Sequence, residues 1–263
     1  MHEAEAAFRQ LVADPTAVPP LDEGALLIAA VATGADVDAG LARLDDLASD
    51  AHADGRDPAG LARHLFVERG FAGNTLDYAD PRNSFLPDVI DRRLGIPISL
   101  SVLMIEVARR IGIGLHGVGM PGHFLVGVDA TPDRFFDPFH AGAALDAAGA
   151  QELFARLQGP DAAFRAGFLA PTPTRQVLLR MLANLQQTYV ARRAADARWV
   201  AQLRLAFPEL PVGERGQAAE VLASVGAFDE AAAVLDAMVD DAADADARTA
   251  LGRRAVAYRS RSN

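Results

Sequence analysis

Residues 95–108, Gly-Ile-Pro-Ile-Ser-Leu-Ser-Val-Leu-Met-Ile-Glu-Val-Ala, constrain the fold more than any other stretch. The run is apolar on nearly every side and is closed by Arg109, Arg110 and Gly112. A helix with no polar face has nothing to offer water, so it belongs inside a domain with other elements wrapped around it. No apolar run in the chain reaches the roughly 18 residues that a membrane-spanning helix needs.

The segments after this helix are short and punctuated. Residues 115–119, 123–128 and 134–137 read as strands, separated by Pro121-Gly122 and by Ala130-Thr131-Pro132-Asp133. Strands this short suit an antiparallel meander packed on the buried helix, an α+β arrangement. Upstream, residues 1–80 carry apolar residues at helical spacing, including Leu26, Leu27, Ala30 and Val31 on one segment and Leu41, Leu44 and Leu47 on the next. Pro58 suits the first turn of a third helix that ends at Gly70. Asn83 or Ser84 is expected to cap a short helix that stops at Gly95.

Downstream of Pro171 and Pro173 the helical spacing returns, with Leu182, Leu185 and Tyr189 on one face. Val200 with Leu203 matches Leu235 with Met238 at a spacing of about 35 residues, which suggests a repeat of helical hairpins. Three regions follow: an N-terminal helical region over 1–65 packed on the core, a core over 66–170, and a helical region over 174–263.

Composition excludes several chemistries. The net charge is −10, which disfavours nucleic-acid binding through a broad cationic surface. All 25 basic residues are arginine, so lysine Schiff-base chemistry is absent. There is no cysteine, which removes disulfides, thiolate metal sites and a thiol nucleophile. The first ten residues are acidic and amphipathic, unlike a secretory leader, so a cytoplasmic location without a membrane partner is expected.

The chemistry-bearing residues gather in the middle of the chain. His123 follows Pro121-Gly122, and Asp137 ends the next strand, so a hairpin would bring the two within a residue or two of register. A carboxylate beside an imidazole fixes its tautomer and raises its basicity, the base and orienter of an acyl-transfer site. A buried histidine satisfied by a carboxylate has the same signature. Ser99 and Ser101 lie in the first turn of the apolar helix, where free N–H groups stabilise developing negative charge. Ordinary helix capping also places serine there. His116 and His140 with His123 and Asp137 offer a metal alternative, although their spacing matches no compact ligand pattern and no metal or other cofactor is expected. Asn74, Tyr78, Asn83 and Ser84 belong to a polar stretch that reads either as turn chemistry or, with Ser101, as the lining of a cleft.

At Asn83-Ser84-Phe85-Leu86, Gly95 to Leu100, Pro121 to Val126 and Asp137-Pro138-Phe139 the chain resembles a known family. It is similar to the bacterial branch of the transglutaminase-like superfamily in which a transglutaminase-like core precedes tetratricopeptide repeats. Some members of that branch carry the description of invasion-gene regulators. The resemblance spans 66–145 and implies a papain-like topology, with a nucleophile at the start of a central helix and His and Asp on neighbouring strands. It places His123 on the family histidine, Asp137 on the family aspartate and the family cysteine close to Ser99. The stretch Gly226 to Ala231 looks like the turn of a tetratricopeptide hairpin, which implies a protein or peptide partner.

Two functions are consistent with these residues. One is a non-catalytic binding or regulatory module, since the thiol is missing. The other is an amide or ester hydrolase or acyltransferase with Ser99 as nucleophile, His123 as base and Asp137 as orienter.

Overall fold

A computed structural model describes residues 2–52, 57–192 and 197–262. They form two compact units, one of residues 18–181 and one of residues 2–17 together with 182–263. The chain opens with α1 (His2–Leu11), which belongs to the second unit.

The first unit begins with α2 (Leu21–Thr33), α3 (Val37–His52) and α4 (Pro58–Arg63). Asp57 caps α4 by accepting the Ala59 and Gly60 N–H groups, and Pro58 occupies its first turn as the sequence suggests. The helix then widens into a single π turn over His64–Glu68, a feature with no sequence signal. β1 (Ala72–Gly73), α5 (Leu86–Arg92) and β2 (Leu94–Gly95) follow. α6 (Pro97–Arg110) is the apolar helix, and every residue from Pro97 to Ala108 is buried.

Glu106, the one charged residue in that run, is 2% exposed. It pairs with Arg109 at 2.8 Å and Arg110 at 2.9 Å. The same two arginines reach Asp22 on α2, each at 2.7 Å, and Arg110 also reaches Asp45 on α3 at 2.7 Å. The C-terminal end of the buried helix is therefore tied to α2 and α3, two of the helices packed on it. Burial works to raise the Asp22 carboxyl, but the Arg110 hydrogen bond, the Glu23 N–H and the two guanidinium charges outweigh it and hold it low. Burial and the Asp22 charge push Glu106 the other way.

The strands form a four-stranded antiparallel meander, β3 (Leu115–Val118), β4 (Leu125–Val128), β5 (Thr131–Asp137) and β6 (Ala143–Leu145), packed on α6. α7 (Ala147–Gln158) lies against β5 and β6, and α8 (Thr174–Ala191) passes from the first unit into the second. The second unit continues with α9 (Ala197–Leu205), α10 (Val212–Ser224), α11 (Phe228–Val239) and α12 (Ala245–Arg259), each packed on the next. The apolar face of α1 joins this unit, where Phe8 meets Phe207 edge-on at 5.8 Å.

Three local expectations need correction. Neither Asn83 nor Ser84 caps α5: its first turn follows Phe85 without a side-chain cap, and it ends on Arg93 in the left-handed region at φ 56°. Gly95 is instead part of β2, paired in parallel with Gly73. β5 starts at Thr131 rather than 134, because a bulge at Gly127/Val128 lets Thr131 pair with Val128. The fourth strand, β6, carries no alternation that the sequence could reveal.

Candidate functional site

The site is built where β4 begins and β5 ends. Pro121-Gly122 turns the chain, with Gly122 in the left-handed region at φ 77°, and His123 comes out of that turn just ahead of β4. Val126 pairs with Phe136, so Leu125 falls opposite Asp137 and His123 lies two residues beyond it. Asp137 closes β5 and caps the turn 138–140 by accepting the Phe139 and His140 N–H groups. Its Oδ1 lies 2.9 Å from His123 Nε2, and its Oδ2 lies 2.7 Å from His140 Nδ1. His123 is 5% exposed and Asp137 2%, whereas His140 is open to solvent.

Burial tends to raise the Asp137 carboxyl, but hydrogen bonds and charge from His123 and His140 outweigh it and hold it below its ordinary value. An ionised carboxylate only accepts, so the proton of a neutral His123 sits on Nε2 and the lone pair on Nδ1. This is the tautomer that a general base needs. His140 is the residue that the sequence reading weighed only as a metal ligand. Its signal was the Asp137-Pro138-Phe139-His140 spacing, which folds the histidine back onto the capping carboxylate.

The His123, Asp137 and His140 ligand atoms all lie within 4.8 Å of one another. Two imidazoles and a carboxylate suit a borderline divalent ion. His116, the fourth residue of the metal alternative, is elsewhere, 2.6 Å from Asp129.

The serine hydroxyls do not join this pair. Ser99 is fully buried at the third position of α6, and its Oγ accepts the Ile96 N–H at 3.1 Å and donates to the Asn83 carbonyl at 2.6 Å. It serves the helix start from inside, as the reciprocal half of a capping box, while Ile96 holds the cap position. No hydrogen bond links Ser99 to His123. Ser101 is equally buried, and its Oγ has no hydrogen-bond partner.

The polar loop over 74–84 is organised by Asn83, which is fully buried. Asn83 Oδ1 accepts Asn74 Nδ2 at 3.0 Å, and its Nδ2 donates to the Asp77 and Tyr78 carbonyls. Asn74 Oδ1 in turn accepts the Asp77 N–H. Asn74, Asn83 and Ser84 are thus buried members of the loop, whereas Tyr78 is 53% exposed. The β1–β2 pair brings this loop to the helix start, through Asn74 N–H on the Gly95 carbonyl. It also brings the loop to the site. Phe139 rests on Gly73, where a Cβ would come within 2.4 Å of the ring. The same ring lies edge-on to Tyr78 at 5.9 Å and to His123 at 6.2 Å.

Sequence reasoning missed Arg180 on α8. Its Nη2 donates to the Met120 carbonyl at 2.7 Å and the His123 carbonyl at 2.8 Å, so it clamps the turn that presents His123. The available signal was an arginine among the buried Val177, Leu178, Met181 and Leu182.

A family model described as the transglutaminase-like superfamily matches residues 35–183. A UPF0162 protein of Xylella fastidiosa (strain Temecula1) is 45% identical over 152 residues, which is 52% of this chain and 53% of that protein. The UPF0162 protein PA3419 of Pseudomonas aeruginosa is 37% identical over 150 residues, 57% of this chain and 53% of that protein. F-box only protein 21 of Mus musculus is 44% identical over 62 residues, 24% of this chain and 10% of that protein. The chain therefore spans about half the length of the first two relatives. No solved structure matches it. The family match covers more than half of the chain, including the buried helix, the meander and the His123–Asp137 pair, and the chain belongs to the transglutaminase-like superfamily.

Proposed function

We propose that this chain is a non-catalytic transglutaminase-like protein that acts as a binding or regulatory module. Its core would hold a protein or peptide ligand beside His123, and its helical second unit, of tetratricopeptide kind, would provide a docking surface of its own. We place it in the cytoplasm.

One observation carries the reading: among the described residues, the imidazole–carboxylate pair makes no hydrogen bond to a nucleophilic side chain. The sequence has no cysteine, and the Ser99 hydroxyl is occupied by Asn83 and Ile96. A papain-like site works through a thiolate–imidazolium pair, and a hydroxyl, several pKa units less acidic than a thiol, forms no such pair at neutral pH.

The second reading keeps Ser99 as nucleophile of a hydrolase, activated by His123 and supported by the α6 N–H groups. It requires Ser99 to leave its present partners. Incubation with a serine-reactive fluorophosphonate followed by peptide mapping separates the two. Binding without catalysis predicts no adduct on Ser99 or Ser101. An adduct on either serine that disappears in His123→Ala would overturn it.

A further inference from the structure

The Asp137 carboxylate carries an imidazole on each oxygen, His123 Nε2 at 2.9 Å from Oδ1 and His140 Nδ1 at 2.7 Å from Oδ2. An acyl-transfer pair needs only one of them, since a single carboxylate orients a single base. The second imidazole, of His140, is 55% exposed, so its hydrogen bond adds little to stability. Neither catalysis nor folding therefore calls for it. What the arrangement does provide is three ligand atoms within 4.8 Å of one another. The two imidazoles stand side by side, with ring centres 5.7 Å apart and planes tilted by 33°. Spacing along the chain hides the set. Asp137 and His140 are three residues apart, but His123 arrives from fourteen residues upstream, across the β4–β5 hairpin.

Each of the three is held from behind. Asp137 Oδ1 accepts the Phe139 and His140 N–H groups at 3.1 and 3.3 Å, which fixes the plane of the carboxylate. The turn 138–140 is of the tight kind with about three residues per revolution, so residues 137 and 140 share a face. His123 is anchored through its carbonyl, which accepts Arg180 Nη2 at 2.8 Å. The Phe139 ring stands edge-on to both imidazoles, at 6.2 Å from His123 and 5.3 Å from His140, and gives the cluster an apolar flank. Hydrogen-bonded carboxylates and packed rings of this kind are what orient ligands around a metal ion. Two of the ligands are buried, while the exposed His140 ring gives an ion a way in from solvent.

We propose that His123 Nε2, an oxygen of Asp137 and His140 Nδ1 bind a borderline divalent ion of the zinc class, with at least one coordination position left to water or to a ligand. The site goes beyond the binding reading above and does not depend on it, because it needs only these three side chains. Bonds of about 2.0–2.1 Å at a tetrahedral angle set ligand atoms roughly 3.4 Å apart. The two carboxylate edges would open by roughly half an ångström to meet that spacing, a movement the exposed His140 ring can supply. Two imidazoles and one carboxylate suit zinc and its neighbours better than magnesium or calcium, which prefer oxygen throughout. With neutral rings the set carries a single negative charge, and a chain of net charge −10 draws cations towards it. Coordination and the present hydrogen bonds compete for the same nitrogens. Facing an ionised carboxylate, His123 holds its proton on Nε2 and His140 on Nδ1. An ion on those atoms moves the protons to the opposite nitrogens, so binding switches both tautomers.

The test is a Zn2+ titration of the full, 15N-labelled chain after stripping with EDTA, followed in long-range 1H–15N spectra of the histidine rings. One equivalent of Zn2+ is expected to move the His123 proton from Nε2 to Nδ1 and the His140 proton from Nδ1 to Nε2. His116, which pairs with Asp129, should keep its tautomer, and Mg2+ at the same concentration should change nothing. Calorimetry of the same titration reads the affinity. His140→Ala should weaken Zn2+ binding by about 100-fold or more, since even groups that only orient a ligand are worth about 10–100-fold. That variant loses an exposed ring and is expected to keep the fold, so its loss of binding reports on the ligand itself. His116→Ala should bind Zn2+ as the wild type does. A His123 tautomer unmoved at saturating Zn2+, an affinity unchanged in His140→Ala, or an equal loss in His116→Ala would each overturn the site. A fluorophosphonate adduct on a serine bears on the non-catalytic reading alone, so the two failures are distinguishable.

Discussion

Replacing Asp137 by alanine removes the acceptor of four donors at once: His123 Nε2 at 2.9 Å, His140 Nδ1 at 2.7 Å, Phe139 N–H at 3.1 Å and His140 N–H at 3.3 Å. The contributions differ in kind. The His140 ring is exposed and regains water, so it adds little. His123 is buried and would be left with an unpaired Nε2 donor, at a cost of about 1–3 kcal/mol. Loss of the cap on the turn 138–140 adds about 1 kcal/mol. Together Asp137→Ala should destabilise the first unit by about 2–4 kcal/mol, lowering its urea midpoint by roughly 1 M or more at unchanged slope. Far-UV circular dichroism is the suitable probe, because Trp199, the chain's single tryptophan, belongs to the second unit. The pH dependence sharpens the test. Asp137 titrates below its unfolded value, so its contribution is complete above the ordinary carboxylate range and is lost as the pH falls through the folded value. The gap between wild type and variant should therefore narrow on acidification below about pH 4. A midpoint unchanged at neutral pH, or a gap that stays constant into acid, would refute the description of Asp137 as a buried, ionised hub.

Two further substitutions probe the frame around the site. Asn83→Ala removes the side chain that joins Asn74 to the Asp77 and Tyr78 carbonyls, and should cost about 2–4 kcal/mol, with faster amide hydrogen exchange across 74–84. Asp22→Asn takes a carboxylate from the Arg109–Arg110–Glu106 network and should cost about 1–3 kcal/mol at neutral pH. Since folded Asp22 titrates below its unfolded value, that loss should shrink as the pH falls, which urea unfolding across the acid range would reveal.

How much of this was readable in the residues depended on whether the cause was local. The buried helix was legible, since fourteen residues from Gly95 to Ala108 contain a single charged side chain. The hairpin that brings His123 to Asp137 was partly legible, because two short apolar runs flank Ala130-Thr131-Pro132-Asp133, but its register depends on the bulge at Gly127/Val128, which leaves no local sequence mark. The role of Ser99 was only half legible. A serine near a helix start announces capping, but that it serves Ile96 and Asn83 from the third position depends on a carbonyl sixteen residues away. That Arg180 is held inward could be read from the apolar residues around it, but what it holds could not, because its partners are backbone carbonyls about sixty residues upstream and a carbonyl carries no residue-specific signal. The grouping of α1 with α9 to α12 was hidden for the same reason, since nothing near Phe8 points to Phe207.

The central claim is that the His123–Asp137 unit is intact and isolated from the serine hydroxyls. Long-range 1H–15N spectra of the histidine rings test it most directly. The structure predicts His123 with its proton on Nε2, ring resonances that move in Asp137→Asn, and the same resonances unmoved in Ser99→Ala. A His123 ring that responds to Ser99→Ala as strongly as to Asp137→Asn would contradict the account and return the serine to the site.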